Sequence, residues 1–280
     1  MTVKLITDSV ADLPAEVAKE LGITVVPLNV RFGSTTYRPG IDITADQFYE
    51  RLSHNKALPV TSTPAPITFA EIYDKLAQET DEILVISLSS KLSGTYSVSL
   101  KGIGLMKKKC RIEVIDSRTA VMAQGLVVIA AARAAQAGAN FDEVKKIIHR
   151  NLPRTELYAT FDTLEYLRRG GRIGKASALL GSILKINPII GLKDGEAVPI
   201  GRERSRTKAL ARLCDFVLSY RYIEGLAVEY ATTLDDANWV IARLSSRFPK
   251  SKIFLSRATP VIGTHTGPGL LVVAVLGDKK

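Results

Sequence analysis

The 280-residue chain carries 38 Lys and Arg residues against 28 Asp and Glu residues, so its formal net charge at pH 7 is +10. Hydrophobic residues make up 46% of the chain and charged residues 24%. This balance supplies a buried core and excludes an intrinsically disordered protein. The length predicts one large domain or two smaller ones, and we expect two.

The chain has the features of a soluble cytoplasmic protein. Its two cysteines, Cys110 and Cys214, are far apart and lack CxxC spacing or a neighbouring His, so we expect reduced thiols and no metal site. Residues 1–10 begin as a strand and lack the features of a signal peptide. The apolar run 125–132 is far shorter than the roughly 20 residues of a membrane-spanning helix.

The first half of the chain alternates between predicted strands and helices. Apolar runs predict strands at 3–7, 23–30, 83–88 and 111–115. Helices are predicted after Asp12 and Pro14, after capping boxes at 44–47 and 68–71, and at 96–107, 120–137 and 141–150. Unbroken apolar strands that alternate with helices indicate a parallel sheet covered on both faces, and therefore an α/β domain.

The second half has a different pattern. Predicted strands at 187–192 and 197–200 flank Asp194-Gly195, a strong hairpin signal. Further strands are predicted at 226–230, 252–256 and 270–276, with helices at 206–220 and 234–247. We therefore expect an α+β domain with a mainly antiparallel sheet at 156–280, following an α/β domain at 1–155.

Most of the positive charge is concentrated in one stretch. Residues 168–212 hold eleven basic and three acidic residues, an excess of eight. Such a stretch is typical of a surface that meets phosphate, in nucleic acid, in anionic lipid headgroups or on an acidic partner. The alternative is an ordinary solvated face.

Three hydroxyl-rich segments lie where the pattern places strand ends or loops. They are Thr7-Asp8-Ser9 with Asp12, Thr61-Ser62-Thr63 before Pro64, and 89–96, in which Ser93 precedes Gly94 and a predicted helix. At the ends of strands in an α/β sheet, such groups can line a cleft or bind an anion. They are also ordinary turn and capping residues.

One of the three histidines lies in a glycine-rich segment. His265 falls within 263–269, which we predict to be a loop between two apolar strands. A histidine there can act as a switchable cation or a proton carrier, or can be a hydrogen-bonded structural residue. His54 and His149 lie on polar helical stretches that suit a structural role better.

No nucleotide-binding motif is complete. The segment 170–175 fails the pattern GxxxxGK(S/T), because Arg169 and Ala176 occupy two of the required positions. We therefore do not expect the chain to bind ATP by itself. Ser93, His265 and Asp116 have the residue types of a serine hydrolase, but the GxSxG elbow is missing.

Six motifs, in order along nearly the whole chain, resemble those of the DegV family. They are Thr7-Asp8-Ser9 through Asp12-Leu13-Pro14, Thr61-Ser62 before Pro64, Leu92-Ser93-Gly94-Thr95-Tyr96, Asp116-Ser117, Leu164-Glu165-Tyr166-Leu167 leading to Gly170-Gly171-Arg172, and His265-Thr266-Gly267-Pro268-Gly269. The resemblance implies a two-domain bacterial fatty-acid-binding protein. Such a protein encloses one acyl chain and presents its carboxylate to a separate ATP-dependent fatty acid kinase subunit, which makes acyl phosphate for phospholipid synthesis.

The resemblance also implies a binding site. By position, the carboxylate site falls on Thr61, Ser62, Ser93 and His265, with no cofactor beyond the bound fatty acid. Arg172, and the basic stretch after it that includes Arg202 and Arg204, are implied at the site rim or in partner contact.

The leading hypothesis is therefore a non-enzymatic fatty acid carrier. Its positive charge then serves transient contact with an anionic membrane or a kinase surface, and we expect no nucleic acid partner. Two rivals stay open: an esterase or thioesterase that uses Ser93 and His265, and a nucleic-acid-binding regulator that uses 168–212. That stretch has no interleaved aromatic residues for base stacking.

Overall fold

The computed structural model describes residues 2–54, 58–180 and 186–280, so Lys185 of the basic stretch lies outside the described residues. Its strands are β1 (Lys4–Asp8), β2 (Thr24–Val26), β3 (Asn29–Phe32), β4 (Thr35–Tyr37), β5 (Val60–Ser62), β6 (Glu82–Ser87), β7 (Arg111–Asp116), β8 (Thr155–Thr160), β9 (Asn187–Lys193), β10 (Glu196–Glu203), β11 (Tyr220–Tyr230), β12 (Ile253–Arg257) and β13 (Leu271–Lys279). Its helices are α1 (Ala15–Glu20), α2 (Ala45–His54), α3 (Pro66–Leu76), α4 (Thr95–Ile103), α5 (Val121–Gln136), α6 (Phe141–Asn151), α7 (Glu165–Arg169), α8 (Arg206–Leu218), α9 (Leu234–Leu244) and α10 (Pro260–Thr266).

The first half of the chain forms a parallel sheet in the order β2-β1-β6-β7. Ile6 pairs in register with Thr24 on one side and with Val85 on the other. Helices α3 and α4 pack together on one face, where Phe69 and Tyr73 are buried against Ile6. Helices α5 and α6 cover the other face. The predicted parallel sheet with helices on both faces is confirmed.

Two details of this half differ from prediction. The run 23–30 forms two strands, β2 and β3, because Pro27 lies between them and has no N–H to donate to a strand ladder. Helix α3 begins at Pro66, with Ala65 as its N-cap, so the capping box predicted at Thr68 is wrong. Proline is favoured at a first helical position because its fixed φ suits a helix and no N–H bond is lost there.

The capping box predicted at Thr44 is confirmed. The backbone N–H of Thr44 donates to Gln47 Oε1 at 3.0 Å, and that of Gln47 donates to Thr44 Oγ1 at 3.2 Å. Helix α2 lies in the chain between β4 and β5, two strands of a small antiparallel sheet in the order β4-β3-β5 that the sequence patterns did not predict. Strand β5 of this sheet carries Thr61, one of the residues predicted for the carboxylate site.

The second half forms a larger sheet in the order β10-β9-β8-β13-β11-β12. All neighbours are antiparallel except β11 and β12, so the prediction of a mainly antiparallel sheet is confirmed. The β9–β10 hairpin turns at Asp194 and Gly195, which have φ of 52° and 85°. Helices α8 and α9 pack on one face of this sheet. Strand β8 and helix α7 were not predicted.

Helix α5 lies between the two large sheets. It contacts β1 and β6 on one side and β8, β11 and β13 on the other. Its buried residues surround the helix, which matches its Ala-rich and almost uncharged sequence. The core is therefore continuous across the two halves.

The segment that contains His265 differs from prediction. Instead of lying in a loop, His265 occupies the last turn of α10, which ends at Gly267 with φ of 75°. Pro260 supplies the start of this helix and Gly267 its end. The division into domains at residue 155 stays a prediction. In the described ranges, no helix has both the length and the apolar character needed to cross a bilayer.

Candidate functional site

A largely apolar cavity lies between the two large sheets. One wall comes from segments that follow strands of the parallel sheet, with Val10 after β1, Leu28 after β2, Leu88 after β6 and Val121 after β7. The carboxyl ends of parallel strands meet at one edge of a sheet, where α/β proteins place their ligands.

The opposite wall is the inner face of the antiparallel sheet. Leu157 and Ala159 on β8, Ile190 on β9 and Val272 on β13 line the cavity, and Ala197 on β10 closes one side. Leu157 and Ala159 are two residues apart, as expected because alternate side chains of a strand point to the same face. The sequence patterns missed Leu157 and Ala159 because β8 was not predicted, whereas the other lining residues lie on predicted strands.

A polar cluster occupies part of the cavity lining. It consists of Thr61 on β5, Ser93 between β6 and α4, Arg172 after α7, and His265 on α10. Each side chain comes from a different segment of the chain. Three of the four residues predicted for a carboxylate site, together with the predicted rim residue Arg172, therefore lie around one cavity.

The imidazole of His265 joins α10 to β5. His265 Nε2 lies 2.8 Å from Thr61 Oγ1 in a hydrogen bond. Burial and, secondarily, the positive charge of Arg172 lower the pKa of His265 to about 4, so the ring is neutral at pH 7. Its Nδ1 is buried and has no hydrogen-bond partner among the described residues. Nδ1 lies against Gly170, so the ring contacts the polar cluster through its hydrogen bond to Thr61.

Arg172 connects two loops at the cavity. Its Nε donates to the carbonyl of Leu92 at 3.0 Å, and its Nη1 donates to the carbonyl of Gly170. Gly170 is required by close approach, because a Cβ there would overlap the ring of His265. The guanidinium is thus a half-buried cation held beside Ser93 and His265. An anion entering the cavity would be attracted to this group.

Ser93 lies just before α4. Its Oγ is 2.9 Å from Thr95 Oγ1 and accepts a hydrogen bond from the Thr95 N–H at 3.3 Å. The hydroxyl is half-buried and lines the cavity. This position, at the positive end of the α4 dipole, favours a nearby negative charge.

Other predicted site residues lie elsewhere. Ser62 is exposed and is not part of the described cavity lining, because it follows Thr61 in β5 and neighbouring residues of a strand point to opposite faces. Arg202 and Arg204 are exposed at the end of β10, away from the cavity lining. The roles of these three residues stay predictions.

The first hydroxyl-rich segment makes internal hydrogen bonds. Asp8 accepts bonds from the N–H groups of Val10 and Leu88, at 3.1 and 2.8 Å, and Ser9 Oγ accepts one from Leu28 N–H at 3.0 Å. These bonds hold the cavity wall that carries Val10, Leu28 and Leu88. The segment therefore stabilises the backbone of the cavity wall, and its own hydrogen-bonding groups are used within that wall.

The contacts of the described residues do not assemble a hydrolase triad. Asp116 accepts bonds from Ser90 Oγ at 2.6 Å and from Arg118 N–H at 2.9 Å. Ser93 bonds with Thr95, and His265 bonds with Thr61. The same ranges contain no group of three or more His, Cys, Asp and Glu residues arranged to hold a metal ion.

Comparisons with known proteins agree on one family. The model of a family described as "Uncharacterised protein, DegV family" matches residues 2–278. A DegV domain-containing protein of Caldanaerobacter subterraneus subsp. tengcongensis is 34% identical over 275 residues, which cover 95% of this chain and 95% of that protein.

Two solved structures have nearly the same fold. One, described as fatty acid binding of a DegV family protein from Thermus thermophilus, has a TM-score of 0.90 at 30% identity, covering 99% of this chain and 100% of that chain. The other, described as DegV, a fatty acid binding protein from Bacillus subtilis, has a TM-score of 0.89 at 30% identity, covering 99% of both chains.

Proposed function

This chain belongs to the DegV family, and from that premise we propose that it binds one long-chain fatty acid and presents the carboxylate to a separate ATP-dependent kinase subunit. The observation that carries the proposal is an apolar cavity between two sheets with Thr61, Ser93, Arg172 and His265 among its lining residues. Such a combination matches an amphipathic ligand with one anionic group.

The apolar walls supply the affinity for an acyl tail. Transfer of one CH₂ group from water to an apolar site contributes about 0.8 kcal/mol, so a long chain gains on the order of 10 kcal/mol before the costs of binding are subtracted. The lining residues that would meet the tail are Val10, Leu28, Leu88, Leu92, Leu157, Ala159, Ile190, Val261, Leu270 and Val272.

The polar cluster supplies the headgroup site. A carboxylate removed from water needs hydrogen bonds and a counter-charge. Hydroxyl groups of Thr61 and Ser93 supply donors, and Arg172 supplies the charge. In this proposal His265 positions Thr61 through their hydrogen bond, and Ser62 is left outside the headgroup site.

Phosphoryl transfer is assigned to a partner. The sequence has no complete GxxxxGK(S/T) motif, so we propose that a separate kinase subunit supplies ATP. We propose that Arg202 and Arg204, which are exposed at the end of the hairpin strand β10, contact that subunit or an anionic membrane during ligand exchange.

Lipid analysis tests the proposal directly. Protein purified from a bacterial host and then denatured should release about one fatty acid per chain, identified by mass spectrometry. Delipidated protein should take up added fatty acid with the same stoichiometry. Absence of lipid in every preparation, together with no uptake, would falsify fatty acid binding.

The kinase step needs its own measurement. Lipid-loaded protein incubated with ATP alone should form no acyl phosphate, whereas addition of a DegV-associated kinase subunit should yield it. Ester hydrolysis by the isolated chain that is abolished by Ser93→Ala would instead support the esterase alternative.

A further inference from the structure

Two buried carboxyl groups face each other beside the cavity. Asp12 is 2% exposed and Glu229 is fully buried. Asp12 lies in the segment between β1 and α1, and Glu229 lies on β11, so the contact joins the two halves of the chain. The two residues are close neighbours, because Ser256, the register partner of Glu229 on β12, donates its hydroxyl to the backbone carbonyl of Asp12.

The other oxygens of the pair also connect the two halves. Asp12 Oδ1 accepts a bond from the N–H of Thr259 at 3.1 Å, and Glu229 Oε2 accepts one from the N–H of Met122 at 3.0 Å. The Ser256 hydroxyl donates to the carbonyl of Asp12. Asp12 Oδ2 and Glu229 Oε1 are buried and have no hydrogen-bond partner among the described residues, which leaves one oxygen of each carboxyl group available to share a proton.

These contacts require a proton. Two ionised carboxylates in contact, away from water, repel each other, whereas a single shared proton makes a strong O–H···O⁻ bond. Burial, reinforced by the charge of Glu229, raises the pKa of Asp12 well above its ordinary value. Glu229 is the better site for the negative charge, because it caps the N-terminus of α5 at Met122. A proton shared by the pair would therefore reside on Asp12 and be donated to Glu229.

A row of neighbouring side chains connects the pair to the cavity. The row follows the register partners on the neighbouring strands β9, β8, β13 and β11, which are Ile190, Ala159, Val272 and Glu229 in that order. Register partners point to the same face, and the first three line the cavity. Glu229 therefore continues the cavity wall by one strand.

Val121 provides a second connection. It lines the cavity, and its φ of 53° is unusual for a β-branched residue. The next amide, that of Met122, is the one that bonds to Glu229. The carboxyl pair thus holds a strained part of the wall in place.

No cation neutralises the pair directly among the described residues. From α2, Tyr49 lies near both carboxyl groups, and its hydroxyl donates to the carbonyl of Ala258 at 3.1 Å. From β12, the guanidinium of Arg257 lies over the Tyr49 ring and pairs with Asp46 at 2.7 Å. Thr259 and Met122 contribute only backbone N–H groups from the other packed elements.

We propose that Asp12 and Glu229 form a proton-dependent latch that holds the two sheets closed around the cavity, and that loss of the shared proton promotes release of the bound lipid. This inference rests on the proposed function for the identity of the ligand. The latch itself is a property of the folded chain.

The direction of the pH effect follows from the proton count. At neutral pH the folded pair holds a proton that the unfolded chain has released, because burial raises the pKa of both groups. The stabilisation is therefore fully present below the ordinary carboxyl range and is lost as pH rises through the raised values. Alkaline conditions should loosen the latch.

The test compares wild-type protein with Asp12→Asn, whose amide keeps both hydrogen bonds without titrating. Between about pH 6.5 and 8.5, we expect wild-type protein to transfer fluorescent fatty acid to acceptor vesicles several-fold faster at the higher pH. The variant should change by less than about twofold. Exposed Asp215→Asn on α8 is the matched control and should behave as wild type.

A stability measurement keeps the test independent of lipid binding. Urea unfolding at the same pH values should show a steeper loss of stability for wild-type protein than for Asp12→Asn. Glu229→Gln, which can accept from Met122 and donate to Asp12, should repeat this result if the first variant folds poorly. Equal pH profiles in wild-type and variant proteins would overturn the latch.

Infrared spectroscopy examines the wild-type chain directly. At about pH 7.5 a protonated carboxyl absorption should be present and should be lost in Asp12→Asn, and its absence from wild-type protein would overturn the shared proton. If the protein binds no fatty acid, the proposed function fails, and the unfolding and infrared measurements still decide whether the latch exists.

Discussion

The surroundings of His265 keep its imidazole ring neutral. Burial and the charge of Arg172 oppose protonation of the ring. The neighbouring Thr61 hydroxyl gives the ring a neutral partner. At the scale of single residues, this arrangement leaves Arg172 as the positive charge nearest to the proposed headgroup.

The lowered pKa of His265 predicts how stability changes with acid. The unfolded chain binds a proton near the ordinary pKa of about 6.5, while the folded ring does so only near about 4. The contribution of His265 to the free energy of unfolding is therefore fully present above pH 6.5. It decreases by up to about 3 kcal/mol as the pH falls from 6.5 to about 4. In urea unfolding, His265→Gln should lose less stability than wild-type protein between those values.

A matched variant separates this effect from other titrating groups. His149→Gln alters an exposed histidine on α6 and should leave the pH profile unchanged. If His265→Gln and wild-type protein lose stability in parallel, the ring is not buried and neutral as described.

Neighbouring hydroxyl residues on β5 give a sharp test of the headgroup site. Thr61→Val keeps the side-chain shape but removes the hydroxyl, and loss of one bond to a charged group costs about 1.5–3 kcal/mol. Fatty acid affinity measured by fluorescence titration should fall at least about tenfold. Ser62→Ala should bind normally, because Ser62 points away from the cavity. A similar loss of fatty acid affinity in both variants would mean that Ser62 is part of the headgroup site.

At the scale of elements, the β9–β10 hairpin closes one side of the cavity. Ser89 Oγ donates to the carbonyl of Gly195 at 2.8 Å, so the hairpin turn is attached to the loop before Ser93. Ile190 and Ala197 on the two hairpin strands line the cavity. The position of this hairpin therefore decides how tightly the cavity is closed.

Replacing Gly195 should loosen that closure. A residue with a side chain at a backbone φ of 85° lowers the stability of the fold by about 1–2 kcal/mol. A Cβ at this position would also overlap Ser89 Oγ. We expect Gly195→Ala to reduce the free energy of unfolding by at least this amount and to accelerate fatty acid release in stopped-flow measurements. Gly201→Ala, on the same hairpin but with no atom within 4 Å of the new Cβ, is the control. Unchanged release from Gly195→Ala would mean that the hairpin does not limit exit.

At the scale of the whole molecule, the positive charge is less concentrated than the sequence indicates. Arg168 and Arg169 pair with Glu165 at 2.7 and 2.5 Å, and Arg206 pairs with Asp236 at 2.8 Å. Both acidic partners lie outside residues 168–212, so part of the local excess is neutralised. Arg202 and Arg204 are exposed and are the better candidates for contact with a membrane or partner.

Charge removal at these two residues tests the docking surface. Each basic residue near an anionic membrane contributes about 1 kcal/mol, so Arg202→Ala with Arg204→Ala should slow exchange with anionic vesicles roughly tenfold or more. Affinity for fatty acid should not change, because neither residue lines the cavity. The double variant Lys107→Ala with Lys109→Ala removes equal exposed charge elsewhere and should exchange normally. Equal slowing in the two double variants would indicate a general charge effect.

Local signals determined much of the fold. Apolar runs predicted β6 and β7, Asp194-Gly195 predicted the hairpin, and Thr44 predicted the start of α2, because each depends on residues close together in sequence. Thr68 and the segment around His265 were assigned wrongly, since Pro66 and Pro260 start helices whose positions the local polar pattern did not reveal.

The sequence by itself determined the kind of chemistry available: hydroxyl groups, one guanidinium and one imidazole in motifs that resemble the DegV family. Only the tertiary structure decided which of these groups meet. It brought Thr61, Ser93, Arg172 and His265 from four segments to one cavity, turned Ser62 outward, and placed Asp12 beside Glu229. The physical reason is that residue type follows from the sequence, whereas burial, pKa and proximity depend on how distant strands pack.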